Sequence, residues 1–283
     1  MFATLLGELP RPPLPEDAPP EALLEVALGA QADHGLEPLT AAGWGGWQDA
    51  AAKTDALVKA AVVGPWSAER ALDSVRLELL RLADAGCTWI EVHESMTTLA
   101  HADGANVARE RFAGLHRELT AGLAGIHLSL ALTGGSAEPL GVEALLAGAY
   151  ASYAVDLIDG PDSWRLVSRL PGDRGVIAGA LTAHETGDES PELLLYAIGY
   201  AASTGGRGAA RVGLSTSGSL AALSWDRAVA KLARLGEVAA LAAAPVDERR
   251  AAIDPRAVDL RSAALGRYEP PSQRRGRSRG QGN

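Results

Sequence analysis

The stretch Gly125-Ile126-His127-Leu128-Ser129-Leu130-Ala131-Leu132-Thr133-Gly134-Gly135 decides the fold. It is an apolar run closed by a Gly-Gly pair. Its length and flanking glycines favour a buried strand over a helix. His127 and Ser129 interrupt it at i and i+2, a spacing that sets both side chains on one face of a strand. A polar pair on a core strand must be hydrogen-bonded, bound to a metal or part of a site. Taken alone, the segment fits a hydrogen-bonded core histidine beside a small hydroxyl better than it fits a ligand set.

Working outward, similar apolar runs recur. Strands are expected at 4–9, 36–40, 57–63, 86–94, 153–158, 175–182 and 211–216, with the His127 run fifth in order. Between them lie helical patterns at 21–34, 67–85, 102–123, 142–150, 162–170, 191–202 and 224–244, and a short helical turn at 49–55. Gly35 is a stop signal for the first helix and Ser67 an N-cap for the 67–85 helix. The Pro10-Arg11-Pro12-Pro13 run is loop, and Trp44 and Trp47 sit among glycines in another. Strict β/α alternation implies a parallel sheet, and eight units over residues 1–245 match a single-domain (β/α)8 TIM barrel. The glycine-rich phosphate fingerprints of an open doubly wound sheet are absent. Residues 246–267 are expected to add one or two helices. Residues 268–283, basic and without apolar period, are expected to be a disordered tail.

Composition narrows the function. The net charge of -9 argues against general nucleic-acid binding. No apolar run reaches the roughly 20 residues of a membrane span. Cys87 is the one cysteine, so neither an internal disulfide nor a multi-thiolate metal site can form. With no basic leader at the N-terminus, a cytoplasmic location is expected.

Barrel enzymes carry their chemistry at the C-terminal ends of the strands. The segments assigned there hold His93-Glu94-Ser95, His127 with Ser129, Asp156 and Asp159, His184-Glu185, and Ser215-Thr216-Ser217. Three of the chain's six histidines fall in these segments, which favours a site.

Several segments also resemble a family. They are Leu6-Gly7-Glu8-Leu9-Pro10-Arg11-Pro12, Lys59-Ala60-Ala61-Val62-Val63-Gly64-Pro65, Asp84-Ala85-Gly86 through Val92-His93-Glu94, and Gly218-Ser219-Leu220. In order and spacing they resemble the catalytic barrel of cobalamin-independent (vitamin B12-independent) methionine synthase, within the uroporphyrinogen decarboxylase/methionine synthase superfamily. The resemblance implies a methyltransferase of methionine biosynthesis. There, zinc held by His, two Cys and Glu ionises a thiol that takes a methyl group from a methyl-tetrahydrofolate. It implies His127 and Asp159 as metal ligands, His184 as the catalytic acid, and Glu94 with His93 as substrate-binding groups. Both zinc cysteines are replaced, by Ser129 and Ser217, and a neutral serine hydroxyl is a poor zinc ligand. The site is therefore expected to be altered, with Ser129 and Ser217 facing substrate and zinc retained only if rebuilt from histidines and a carboxylate.

The expected function is methyl or alkyl transfer to a small thiol, amino acid or related nucleophile. Two other readings are a non-catalytic binding barrel descended from such an enzyme, and a metal-independent lyase of the decarboxylase branch. The lyase would need cleft arginines, and Arg11 is the one clear arginine near a strand end.

Overall fold

The computed structural model describes residues 1–67, 70–97, 105–187 and 189–252. Its strands are β1 (Phe2–Ala3), β2 (Ala60–Val63), β3 (Trp89–Ser95), β4 (His127–Thr133), β5 (Ser152–Asp156), β6 (Gly175–Leu181) and β7 (Val212–Thr216). The helices are α1 (Pro20–Asp33), α2 (Trp47–Ala51), α3 (Leu72–Asp84), α4 (Ala105–Thr120), α5 (Gly141–Leu145), α6 (Trp164–Arg169), α7 (Pro191–Ser203), α8 (Trp225–Ala243) and α9 (Val246–Ala252). All strand pairs are parallel, in the order β1-β7-β6-β5-β4-β3-β2. Among the described residues no helix is long and apolar enough to cross a membrane. The tail expected at 268–283, and most of the 246–267 extension, lie outside the described residues.

Among the described residues, seven strands form the sheet where eight were expected. The missing one is 36–40, which forms a single bridge, Leu39 with Val58. Pro38 explains this: it has no N–H to donate to a ladder. The segment still lies between the two edge strands. Glu37 N donates to Ala3 O at 2.8 Å on one side, and Leu39 N donates to Leu57 O at 2.8 Å on the other. The first strand is also earlier and shorter than expected, at Phe2–Ala3 rather than 4–9.

The sheet curls, and alternate residues divide between two cores. Ile90, Val92, Leu128, Leu130, Leu132, Tyr153 and Val155 are buried in a large cluster with the helices. Each such side chain contributes about 1.5–3 kcal/mol on burial. The concave face holds a separate, small cluster of Leu6, Ala131, Ala154 and Ile177, with Phe2 and Trp89 against it. Ser224 caps α8 and Ser190 caps α7, each accepting from a backbone N–H three residues on. Ser67 does not cap α3, which starts at Leu72 with Ala71 before it. Its hydroxyl is drawn instead to Glu94.

Candidate functional site

Lys59 stands just before β2, and Ala60 pairs with Ile90. This register aims Lys59 at Glu91 on the concave face. Its Nζ lies 2.8 and 2.9 Å from the two carboxylate oxygens, with both side chains buried. His93, two residues further along β3, meets Glu91 Oε1 through Nε2 at 2.8 Å. Ser129 of β4 completes the group. Its hydroxyl accepts from Trp89 Nε1 at 2.9 Å and donates to Glu91 Oε2 at 3.5 Å.

Burial alone would push the Glu91 carboxyl up. The Lys59 charge, the His93 hydrogen bond and charge, and the Lys59 hydrogen bond outweigh it and hold the pKa at about 2. Glu91 is therefore ionised and can only accept, so His93 Nε2 carries the hydrogen and the lone pair of neutral His93 sits on Nδ1. Lys59 and His93 both line a cleft of about 430 Å³, whose far wall includes Thr40, Gly43 and Trp47. The cleft opens where residues 41–47 run past β2 without pairing to it. The sequence reading missed Lys59 and Glu91 as a pair. The available signal was an ionisable residue, Glu91, set between Ile90 and Val92 on a core strand.

Glu94 follows His93 and so faces the opposite side of the sheet. Its Oε2 accepts from Ser67 N at 2.8 Å and Ser67 Oγ at 2.6 Å, and its Oε1 accepts from Trp66 N at 3.2 Å. His116 Nε2 lies 3.3 Å from Glu94 Oε1 without hydrogen-bond alignment, and His116 Nδ1 meets the Tyr150 hydroxyl at 2.6 Å. Burial first, and then the Glu94 charge, push the Tyr150 hydroxyl well above its ordinary pKa. Glu94 thus ties the 64–67 turn to α4 and does not share the cleft with His93.

A second polar group lies beyond β5 and β6. His184 Nε2 is 2.7 Å from Asp159 Oδ1, and both side chains are exposed to solvent. The Asp159 hydrogen bond and charge raise the His184 pKa above 6.5. Asp159 is itself set by Asp156, whose carboxylate accepts from the backbone of Asp159, Ile158 and Gly134. Ser217, just past β7, is buried and accepts from Ala183 N at 3.0 Å, so it braces the loop that carries His184.

His127 lies elsewhere. It is the first residue of β4, whereas Asp159 follows the C-terminal end of β5. Its Nε2 meets Ser152 Oγ at 2.8 Å, and its ring packs on Trp89 with centroids 4.1 Å apart. The structure therefore does not bring His127 and Asp159 together. Among the described residues, no three His, Cys, Asp or Glu side chains converge to hold a metal. The Cys87 thiol is buried, raised in pKa by that burial, and within 3.1 Å of Trp89 O. The donor set does not fit a zinc ion of the thiolate kind.

An all-parallel, curled α/β sheet with polar groups beyond the C-terminal strand ends defines the class. No protein-family model matches the sequence, and no curated protein matches it either. Solved structures do match in shape. A B12-independent methionine synthase from Shewanella sp. W3-18-1, in complex with selenomethionine, superposes with a TM-score of 0.69 at 12% identity, over 89% of this chain and 99% of that one. A putative vitamin-B12-independent methionine synthase from Listeria monocytogenes gives 0.64 at 13% identity, over 85% and 97%. A putative deoxyribose-phosphate aldolase from Toxoplasma gondii ME49 gives 0.50 at 14% identity, over 82% and 93%. These neighbours are TIM-barrel-like, and at such identity they speak for the fold alone.

Proposed function

We propose that the chain is a barrel enzyme that transfers a methyl or other alkyl group to a small thiol without a metal. The segment 36–40 closes the barrel between β1 and β2. The observation that carries this reading is the Lys59–Glu91–His93 network at the floor of the cleft. Lys59 holds Glu91 ionised, and Glu91 fixes the tautomer of His93, so His93 Nδ1 is a general base directed by a buried carboxylate. A thiol bound there gives its proton to Nδ1, and Glu91 stabilises the resulting imidazolium. The sulfur then attacks the alkyl carbon of the donor, and the carbon–nitrogen bond breaks. The departing amine takes a proton from His184, whose charged form the Asp159 hydrogen bond and charge favour. A methyl-tetrahydrofolate is the donor type this acid suits, and a thiol amino acid the acceptor.

The test is transfer of labelled methyl from 5-methyltetrahydrofolate to homocysteine and simpler thiols, in the presence of a chelator. His93→Ala is expected to lower the rate by about 10²–10⁴-fold, the usual contribution of a general base. His127→Ala is expected to leave it unchanged. Loss of activity on chelation, or full activity in His93→Ala, overturns the proposal. A binding role without turnover is the second reading. It is favoured by the way Glu91 engages Lys59, His93 and Ser129 at once, a network already satisfied. Calorimetric binding of thiol or folate with no product would establish it.

A further inference from the structure

The N-terminal end of the sheet carries a second cavity that the proposed chemistry does not use. It measures about 450 Å³ and lies among Phe2, Trp89, His127, Ser152, Ile177 and Arg211. A parallel barrel usually closes this end with bulky side chains. Here the concave positions are divided unequally. One side is aromatic: the Phe2 and Trp89 rings meet edge to face at 5.8 Å, and His127 packs on Trp89. The other side is small. Ser152 pairs with Gly175, and Phe2 pairs with Gly213. A Cβ on Gly213 would lie 2.5 Å from the Phe2 ring, and one on Gly175 would lie 2.8 Å from Ser152 Cβ. Neither position accepts a side chain without displacing Phe2 or Ser152, so Phe2 and Ser152 are seated closely against these strands, and Gly175 lines the cavity without a side chain.

Its polar groups are few and placed at one side. His127 and Ser152 share a hydrogen bond, and burial lowers the His127 pKa, so the ring is neutral near pH 7. At the exposed rim, Asp173 lies 4.0 Å from Arg174 Nε. Arg211 spends one N–H on a long 3.4 Å bond to Arg207 O. Its guanidinium has five donors in a planar fork, suited to a carboxylate. An apolar, aromatic-walled pocket of a few hundred Å³ with a small polar edge is the usual form of a small-molecule site.

From this geometry we infer that the N-terminal face holds a second ligand site, for a planar aromatic or heteroaromatic carboxylate. The ring lies against Trp89, Phe2 and Ile177, and the carboxylate meets Arg211 at the rim. The site is distinct from the cleft at His93: Trp89 and His127 begin their strands and His93 lies toward the C-terminal end of β3, with Ser129, which bonds both Trp89 and Glu91, between the two.

The experiment is calorimetric titration of the full chain with indole-3-carboxylate and with indole, together with histidine imidazole NMR. Saturable binding of indole-3-carboxylate is expected. Arg211→Ala, an exposed change that leaves the core intact, is expected to weaken indole-3-carboxylate by about 5-fold, the effect of losing one rim ion pair. Indole binding should not change. The imidazole signal moved by the ligand should be the one missing from His127→Ala. Equal binding by Arg211→Ala, a shift in the His93 signal instead, or no saturation overturns the inference.

Discussion

Replacing Lys59 by Met would leave the Glu91 carboxylate inside the sheet with the hydrogen bonds from His93 and Ser129 but without its buried cation. The magnitude follows from the titration of Glu91. Its fall from 4.5 to about 2 corresponds to at most roughly 3 kcal/mol of stability at neutral pH, because burial also lowers the Lys59 pKa and takes back part of the gain. Glu91 is wholly buried, so solvent does not screen this figure away. A folded-state pKa below the unfolded one means the contribution is complete above about 4.5 and is lost as the pH falls toward 2. Breaking a buried pair by removing one partner independently suggests about 3–5 kcal/mol. Lys59→Met and Glu91→Leu are each expected to lose about that much in urea unfolding followed by tryptophan fluorescence near neutral pH. The double variant Lys59→Met/Glu91→Leu leaves no unpaired charge and is expected to return to within about 1–2 kcal/mol of the parent, or to exceed it. The parent should also lose stability in mild acid more steeply than the double variant. Single variants within about 1 kcal/mol of the parent, or a double variant equal to the sum of its singles, would mean that Lys59 and Glu91 are not coupled in the folded protein.

Three further outcomes follow from particular contacts. Asp159→Asn removes the charge that raises His184, so the His184 pKa should drop toward 6.5 in an NMR titration; an unchanged titration would mean the pair does not form in solution. Gly64→Ala would set a Cβ 2.0 Å from Glu94 Oε1, and should lower stability by about 1–3 kcal/mol in thermal unfolding unless that contact is absent. Arg207 is buried and donates to the carbonyls of Arg174, Ala201 and Leu170, so Arg207→Met should cost about 2–4 kcal/mol in urea, and a parent-like midpoint would contradict this bonding.

The strand order was legible because the strand periods and glycine stops are strong local signals. Six of the expected strands appear within a few residues of their limits, from the run at 57–63 to the run at 211–216. The segment 36–40 failed for a reason also local: Pro38 removes one ladder donor, which a hydrophobicity pattern does not register. The site was less legible because chemistry depends on which end of a strand a residue occupies. The spacing of His127 and Ser129 gave their shared face correctly, yet it could not tell that β4 begins at His127 and continues to Thr133. The adjacent His93 and Glu94 look like one gripping pair in sequence. On a strand they must point to opposite faces, and they do. Lys59 and Glu91 are 32 residues apart and meet only through the β2–β3 register, which no local pattern contains.

The same network bears on why serine stands at position 129. The hydroxyl there is committed twice, accepting from Trp89 Nε1 and donating toward Glu91. A thiol is a weaker partner in both directions and would leave the indole N–H poorly satisfied beside the core. The electrostatics point the same way. Glu91 already carries the Lys59 ammonium, so a divalent cation near Ser129 would compete for one carboxylate and meet like charge from Lys59. Restoring cysteine at 129 alone would therefore not restore a metal site, because the cation already bound by Glu91 is part of the chain. A metal would need Lys59 removed as well. On this argument Ser129, Glu91 and Lys59 form one unit, in which a covalently tethered positive charge holds the carboxylate that directs His93.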